Sequence, residues 1–124
     1  MNFVNSSLKK FFGAFLSAFK GIGIAFKSER NIRLQMIAAV CVIVFGFVFA
    51  ISVTEWLLIL VLLAMVIAME LINTAIEKLS DVIQPEIDER IRIIKDISAG
   101  AVLWVSIMAL IAGLLIFITK IFTL

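Results

Sequence analysis

The sequence predicts an all-α membrane protein, with an N-terminal amphipathic helix lying in the interface and three transmembrane helices after it. Three observations carry this. Of the 124 residues, 64% are hydrophobic and only 16% charged, which does not fit a water-soluble globule. Three long apolar runs follow one another along the chain, and the basic residues gather near one set of their ends. A single domain over residues 1–124 is expected, with the interfacial helix over 1–30 and membrane helices over 31–52, 55–81 and 96–120.

The first segment carries Leu8, Phe12, Phe15, Phe19, Ile22 and Phe26 at helical spacing, with Lys9, Lys10, Lys20 and Lys27 on the other side. It reads as an amphipathic helix in the membrane surface. Its charges are spread and no small-residue cleavage site follows a compact apolar core, so it does not read as a signal peptide.

The first span runs from Leu34 to Ile51 with only Gln35 strongly polar. The second runs from Trp56 to Met69 and on past Glu70 through Ile72, and the third from Ala99 to Thr119. A bilayer core of ~30 Å needs ~20 residues at a helical rise of ~1.5 Å each, and all three qualify. None alternates polar with apolar as a barrel strand would. Ala64 with Ala68 and Ala109 with Gly113 give small-residue spacings that permit close helix approach.

Position of charge sets orientation. Of the eleven Lys and Arg, six precede the first span, four lie between the second and third, and Lys120 follows the third. The connection near Ser52 to Glu55 has none. The N-terminus and the second connection are therefore expected on the cytoplasmic side of the membrane, with the first turn and the C-terminus outside. Trp56 and Trp104 fit an aromatic belt. In the second connection Pro85 sits where a short surface helix could begin, and Glu86 with Arg90, Asp88 with Arg92 and Arg92 with Asp96 are spaced as i,i+4 pairs.

Composition also excludes. There is no His and no Tyr, and Cys41 is the single cysteine, which removes disulfide frameworks, Cys/His zinc sites, histidine acid/base chemistry and thiol–histidine dyads. A net charge of +2 gives no basic excess for nucleic acid. Any proton transfer or hard-metal binding must use carboxylates, amides or lysines.

The informative stretch runs from Glu70 to Asp81. At ~100° per residue, Asn73, Glu77 and Asp81 lie within about 60° of Glu70, and Thr74 about 40° to the other side. This stripe climbs ~16 Å from the apolar zone to the membrane surface. A carboxylate inside a bilayer costs several kcal/mol on insertion scales. Interhelical hydrogen bonds account for Asn73 or Thr74 alone, but three carboxylates on one stripe need a cation or a shared proton among them. Mg²⁺ suits such a set, bound through one or two carboxylates with phosphate oxygens filling its shell. Glu29 just before the first span, and Lys95 with Asp96 just before the third, reach the same level. Glu29, Glu70, Glu77, Asp81, Lys95 and Asp96 together offer metal ligands, a general base and a cation for a transferring phosphate. No GxxxxGK[ST] or GxGxxG loop is present, so from the residues alone the site is catalytic or ion-conducting.

The run Glu70-Leu-Ile-Asn-Thr-Ala-Ile-Glu-Lys-Leu-Ser-Asp81 is preceded by Glu29-Arg-Asn-Ile-Arg33 and followed by Lys95-Asp-Ile-Ser-Ala-Gly-Ala-Val102. Together they closely resemble the prokaryotic diacylglycerol kinase family, which includes the undecaprenol kinases. The likeness runs from about Phe11 to Phe117, and the ExxNxAIExxxD stretch is its specific part. The resemblance implies a homotrimeric membrane kinase that moves the γ-phosphate of ATP to a lipid alcohol, undecaprenol or diacylglycerol, using Mg²⁺ at the cytoplasmic interface. It implies Glu70 as general base, Glu29 and Glu77 as metal ligands toward ATP, Asn73 as an active-site amide and Lys95 as the phosphate-binding lysine. Asp81 and Asp96 match acidic positions of that family, on the nucleotide side or supporting. Glu-Arg-Asn at 29–31, Thr-Glu-Trp at 54–56 and Ala-Gly-Ala at 99–101 look more like the undecaprenol kinases.

Two other classes stand against this reading. An ion or proton pathway would need charge reaching both faces, yet the outer half of the second span is wholly apolar. A helical assembly subunit would leave the carboxylate stripe idle.

Overall fold

A computed structural model describes residues 2–123. Four helices follow in order: α1 (Asn2–Ser28), α2 (Arg30–Val48), α3 (Val53–Ile83) and α4 (Glu89–Thr123). Among the described residues there is no strand. All four helices are long and apolar enough to cross a membrane, α1 as well as the three expected. Only Ala25 of α1 is buried against the rest of the chain.

Each break has a local cause. Glu29 is extended (φ −117°, ψ 117°) and separates α1 from α2. At the end of α2 the Ala50 N–H donates to Phe47 O and the Ile51 N–H to Gly46 O, each at 3.2 Å, the double bond of a Schellman stop. Ala50 takes the left-handed position of that stop, at φ 50°. Glycine fits that position without the Cβ clash, so Ala50→Gly is expected to stabilise the protein by about 1 kcal/mol. A raised midpoint of thermal unfolding in detergent is the check.

Ser52 and Glu55 then form a reciprocal cap on α3: the Glu55 N–H donates to Ser52 Oγ (3.2 Å) and the Ser52 N–H to Glu55 Oε1 (2.9 Å). Glu55 also pairs with Lys120 of α4 at 3.2 Å, tying the start of α3 to the end of α4.

The surface helix expected to begin near Pro85 does not form. Residues 84–88 are a loop, and α4 runs unbroken from Glu89, beginning before the span expected at 96. Asp88 sets that start by accepting the Arg90 N–H at 2.8 Å. The Arg90 guanidinium, with its N–H, holds the Asp88 carboxyl down at about 2. Its contribution to the cap is therefore complete above the ordinary value of 3.8 and is lost only as pH falls through about 2. Because Glu86 and Asp88 lie outside the helix, two of the three expected i,i+4 pairs are missing. Arg90 bonds Asp88 instead, and Arg92 bonds Glu89 as well as Asp96.

The antiparallel α3 and α4 form the main contact, with α2 laid more lightly on α3. The buried apolar residues are few and small in number for the chain: Ala25, Ile32, Ala39, Ile51, Ile59 and Val66. Most of the apolar surface is left outward, as lipid or further copies require. Trp56 serves packing within the chain, lying against Phe47 (ring centroids 4.9 Å) and over Gly46, whereas Trp104 is exposed. A cavity of about 370 Å³ opens between α2, α3 and α4, lined by Gln35, Val42, Val66, Ser106, Gly113 and Phe117 among others. Ala109 and Gly113 thus face this space, and Ala64 and Ala68 are exposed, so neither spacing marks a tight contact inside the chain.

Candidate active site

Steps of three and four residues return a helix to the same side, and on α3 that side turns inward at Glu70 and Asn73. Glu70 is 3% exposed and Asn73 6%, Glu77 is half-buried and Asp81 exposed. The stripe surfaces as it climbs, with Glu70 its deepest carboxylate. Thr74 is buried too, and its hydroxyl donates to Glu70 O at 2.9 Å, a bond within its own helix.

Of the nine acidic residues, Glu55, Asp81, Asp88, Glu89 and Asp96 stand in ion pairs. Glu29, Glu70, Glu77 and Glu86 have none among the described residues, and of these Glu70 lies near both Glu29 and Glu77. The Glu70 carboxylate lies within electrostatic reach of both Glu77 and Glu29, with the Asn31 amide beside it. Like charges gathered out of water persist only with a cation or proton between them. Asn73 Nδ2 donates to Glu77 Oε1 at 3.4 Å, while Asn73 Oδ1 is buried with no partner. The amide therefore keeps one buried oxygen free to accept.

Next to this group, Lys95 Nζ of α4 donates to Asp81 Oδ1 of α3 at 2.6 Å. The adjacent Asp96 is held by Arg92 (3.4 Å) and is not brought to the carboxylates. The expected six-residue cluster is thus a triad of glutamates, a neighbouring Lys–Asp pair, and one aspartate apart. Two participants were not singled out by sequence. Asn31 and Arg33 entered the reading only within the Glu29-Arg-Asn-Ile-Arg33 run that carries the family resemblance, Asn31 also as a marker of the branch and Arg33 as one of the basic residues. The guanidinium of Arg33 closes the end of α1, its Nη1 donating to Phe26 O and Lys27 O at 3.0 Å each.

No three acidic side chains stand close enough among the described residues to cage a metal on their own. Mg²⁺ does not ask for that, since it takes one or two carboxylates and completes its shell with water and phosphate oxygens. Glu29 and Glu77, hard oxygen donors without cation partners, beside the unpartnered Asn73 Oδ1, fit such an ion.

Comparison with known proteins places the chain in a family. The model of the family described as prokaryotic diacylglycerol kinase matches residues 16–117. The chain is 36% identical over 115 residues to the undecaprenol kinase of Bacillus subtilis (strain 168), covering 93% of this chain and 94% of that one. It is 32% identical over 101 residues to the diacylglycerol kinase of Synechocystis sp. (strain ATCC 27184 / PCC 6803 / Kazusa), covering 81% of this chain and 58% of that one.

Proposed function

The chain belongs to the prokaryotic diacylglycerol kinase family and is a membrane lipid kinase, and from that premise we propose that it transfers the γ-phosphate of ATP to undecaprenol. The transfer takes place at the cytoplasmic face of a bacterial inner membrane, with the protein as a homotrimer and α1 lying in the interface. The observation that carries the site is the convergence of Glu29, Glu70 and Glu77 without a cation partner, beside the free oxygen of Asn73. Undecaprenol is preferred to diacylglycerol because the likeness to the undecaprenol kinase extends over nearly the full length of both chains. The apolar faces left outward, with Ala64 and Ala68 among them, supply surface for subunit packing.

Each residue has a task in this reading. Glu70, the deepest carboxylate, meets the lipid hydroxyl at the level a lipid headgroup reaches, orients it and takes its proton. Transfer through a loose transition state needs little proton removal before bond formation, so holding the two oxygens in line carries most of the rate. Glu29 and Glu77 would hold Mg²⁺, which supplies neutralisation of charge on the phosphates. Asn73 keeps Glu77 in place through its Nδ2. Lys95, which donates to Asp81, also gives N–H bonds to phosphate oxygens of the nucleotide.

Lys95→Met is accordingly expected to lower kcat/KM for ATP roughly ten- to a hundredfold, from the ~1.5–3 kcal/mol of a hydrogen bond to a charged group. Steady-state kinetics at saturating lipid check it, and an unchanged KM and kcat would remove Lys95 from the nucleotide site. The reading as a whole is tested with the purified protein in mixed micelles, Mg²⁺, γ-labelled ATP and either undecaprenol or diacylglycerol. Labelled undecaprenyl phosphate is the expected product. Label only on diacylglycerol would overturn the acceptor, and label on neither would overturn the kinase reading.

A further inference from the structure

Helix α1 ends where its sequence gives no ordinary stop. Phe26-Lys27-Ser28-Glu29-Arg30 contains neither the glycine that usually takes the left-handed terminal position nor a proline beyond it. Its last carbonyls would therefore be left open. They are closed from the next helix, by Arg33 Nη1 donating to both Phe26 O and Lys27 O at 3.0 Å, with the Glu29 N–H reaching Ala25 O at 2.9 Å. Arg33 forms no ion pair among the described residues. Its charge is given to backbone oxygens at the negative end of α1, where a cation is favoured.

The residue at the break is Glu29, and its side chain is conspicuously idle locally. It occupies the capping position of α2, where a carboxylate commonly accepts the N–H groups of the first turn, yet it makes no such bond. Its charge is instead within reach of Glu70. Buried Ala25 and Ile32 sit on either side of the junction, so the break is packed as well as hydrogen-bonded.

We propose that Arg33 is the positioning residue for Glu29: by closing α1 from α2 it fixes the extended 28–30 junction that turns the Glu29 carboxylate toward Glu70 and Glu77 instead of onto its own helix. Without the guanidinium, α1 and α2 can merge into one helix or Glu29 can fold back to cap α2. Either change withdraws the carboxylate from the cluster. A lysine in place of Arg33 ends one bond short of Nη1 and carries its hydrogens on a freely turning ammonium, so it holds the two carbonyls less firmly.

This rests on the metal-ligand reading of Glu29 given above, and the test separates the two. Full-length wild type, Arg33→Ala, Arg33→Lys, Glu29→Gln and the Arg33→Ala/Glu29→Gln double variant are placed in lipid nanodiscs. Mn²⁺ binding is followed by electron paramagnetic resonance, and hydrogen exchange by peptides covering residues 25–33. Arg33→Ala is expected to lose protection in that peptide and to weaken Mn²⁺ binding about tenfold, the usual scale for residues that orient a ligand. Glu29→Gln weakens it as much, the double variant no further, and Arg33→Lys less than Arg33→Ala. In the kinase assay Arg33→Ala raises the half-saturating Mg²⁺ with little change in kcat at saturating metal. Unchanged exchange, unchanged Mn²⁺ affinity, or additive losses in the double variant would each overturn the proposal. If Glu29→Gln binds Mn²⁺ like wild type, the metal role of Glu29 falls and this proposal with it. Failure of wild type to phosphorylate any lipid removes the kinase reading while leaving the Mn²⁺ comparison to decide Arg33.

Discussion

Glu70→Gln is expected to cut phosphate transfer to the lipid by on the order of 10²- to 10⁴-fold, the usual contribution of a positioned proton acceptor. The amide matches the carboxylate in shape, so the packing around this 3%-exposed side chain is kept. It also removes one of three converging negative charges, so the folded state loses no favourable pairing: Glu70 has no ion pair to lose. Nucleotide affinity should stay close to normal, because the groups assigned to the phosphates, Glu29, Glu77 and Lys95, are unchanged. The measurements are turnover, thermal unfolding in detergent and binding of a non-hydrolysable ATP analogue. Near-normal turnover in the purified variant would take Glu70 out of the chemistry. Loss of nucleotide binding in parallel with activity would show it holding the site together instead.

The second large effect lies far from the chemistry. A Cβ on Gly46 would stand 2.5 Å from Cη2 and 2.8 Å from Cζ2 of Trp56. That indole is a rigid ring lying between Phe47 and the α2 backbone, and it cannot bend away as a flexible chain end would. Overpacking of this kind costs about 1–3 kcal/mol, against a gain of about 1 kcal/mol from replacing glycine inside a helix. Gly46→Ala is therefore expected to lower stability by about 1 kcal/mol, and Gly46→Leu to do more. Shortening the opposing side chain should relieve the clash, so adding Trp56→Leu to Gly46→Ala is expected to cost less than the two single losses together. Strict additivity, or no loss in Gly46→Ala, would mean that the indole does not pack on α2 as described.

How much of this was legible in sequence follows from where each feature's information resides. The Glu70, Asn73 and Glu77 face was readable because helical periodicity is local, and the number of long helices because apolar runs are local. Asp96 pairs with Arg92, four residues back on the same helix, as the charge spacing in sequence led one to expect. The separate helix at Pro85 was expected from charge spacing, but Asp88 caps α4 one residue before Glu89 and leaves Glu86 outside any helix. Arg33 and Gly46 were invisible for a different reason. One acts on carbonyls across a break in the chain and the other meets a ring across a turn, and neither contact has a period in sequence. The small-residue spacings at Ala109 and Gly113 were readable as permitting close approach, but not as facing a cavity.

The two ion pairs between α3 and α4 sit at opposite ends of those helices, Asp81 with Lys95 at one and Glu55 with Lys120 at the other. They clasp the hairpin like a plank pinned twice, while α2 leans against it beside an open gap. Widening that gap would disturb neither pin. An apolar guest lodged in that gap, or driven out of it, would leave both ends of the hairpin fastened.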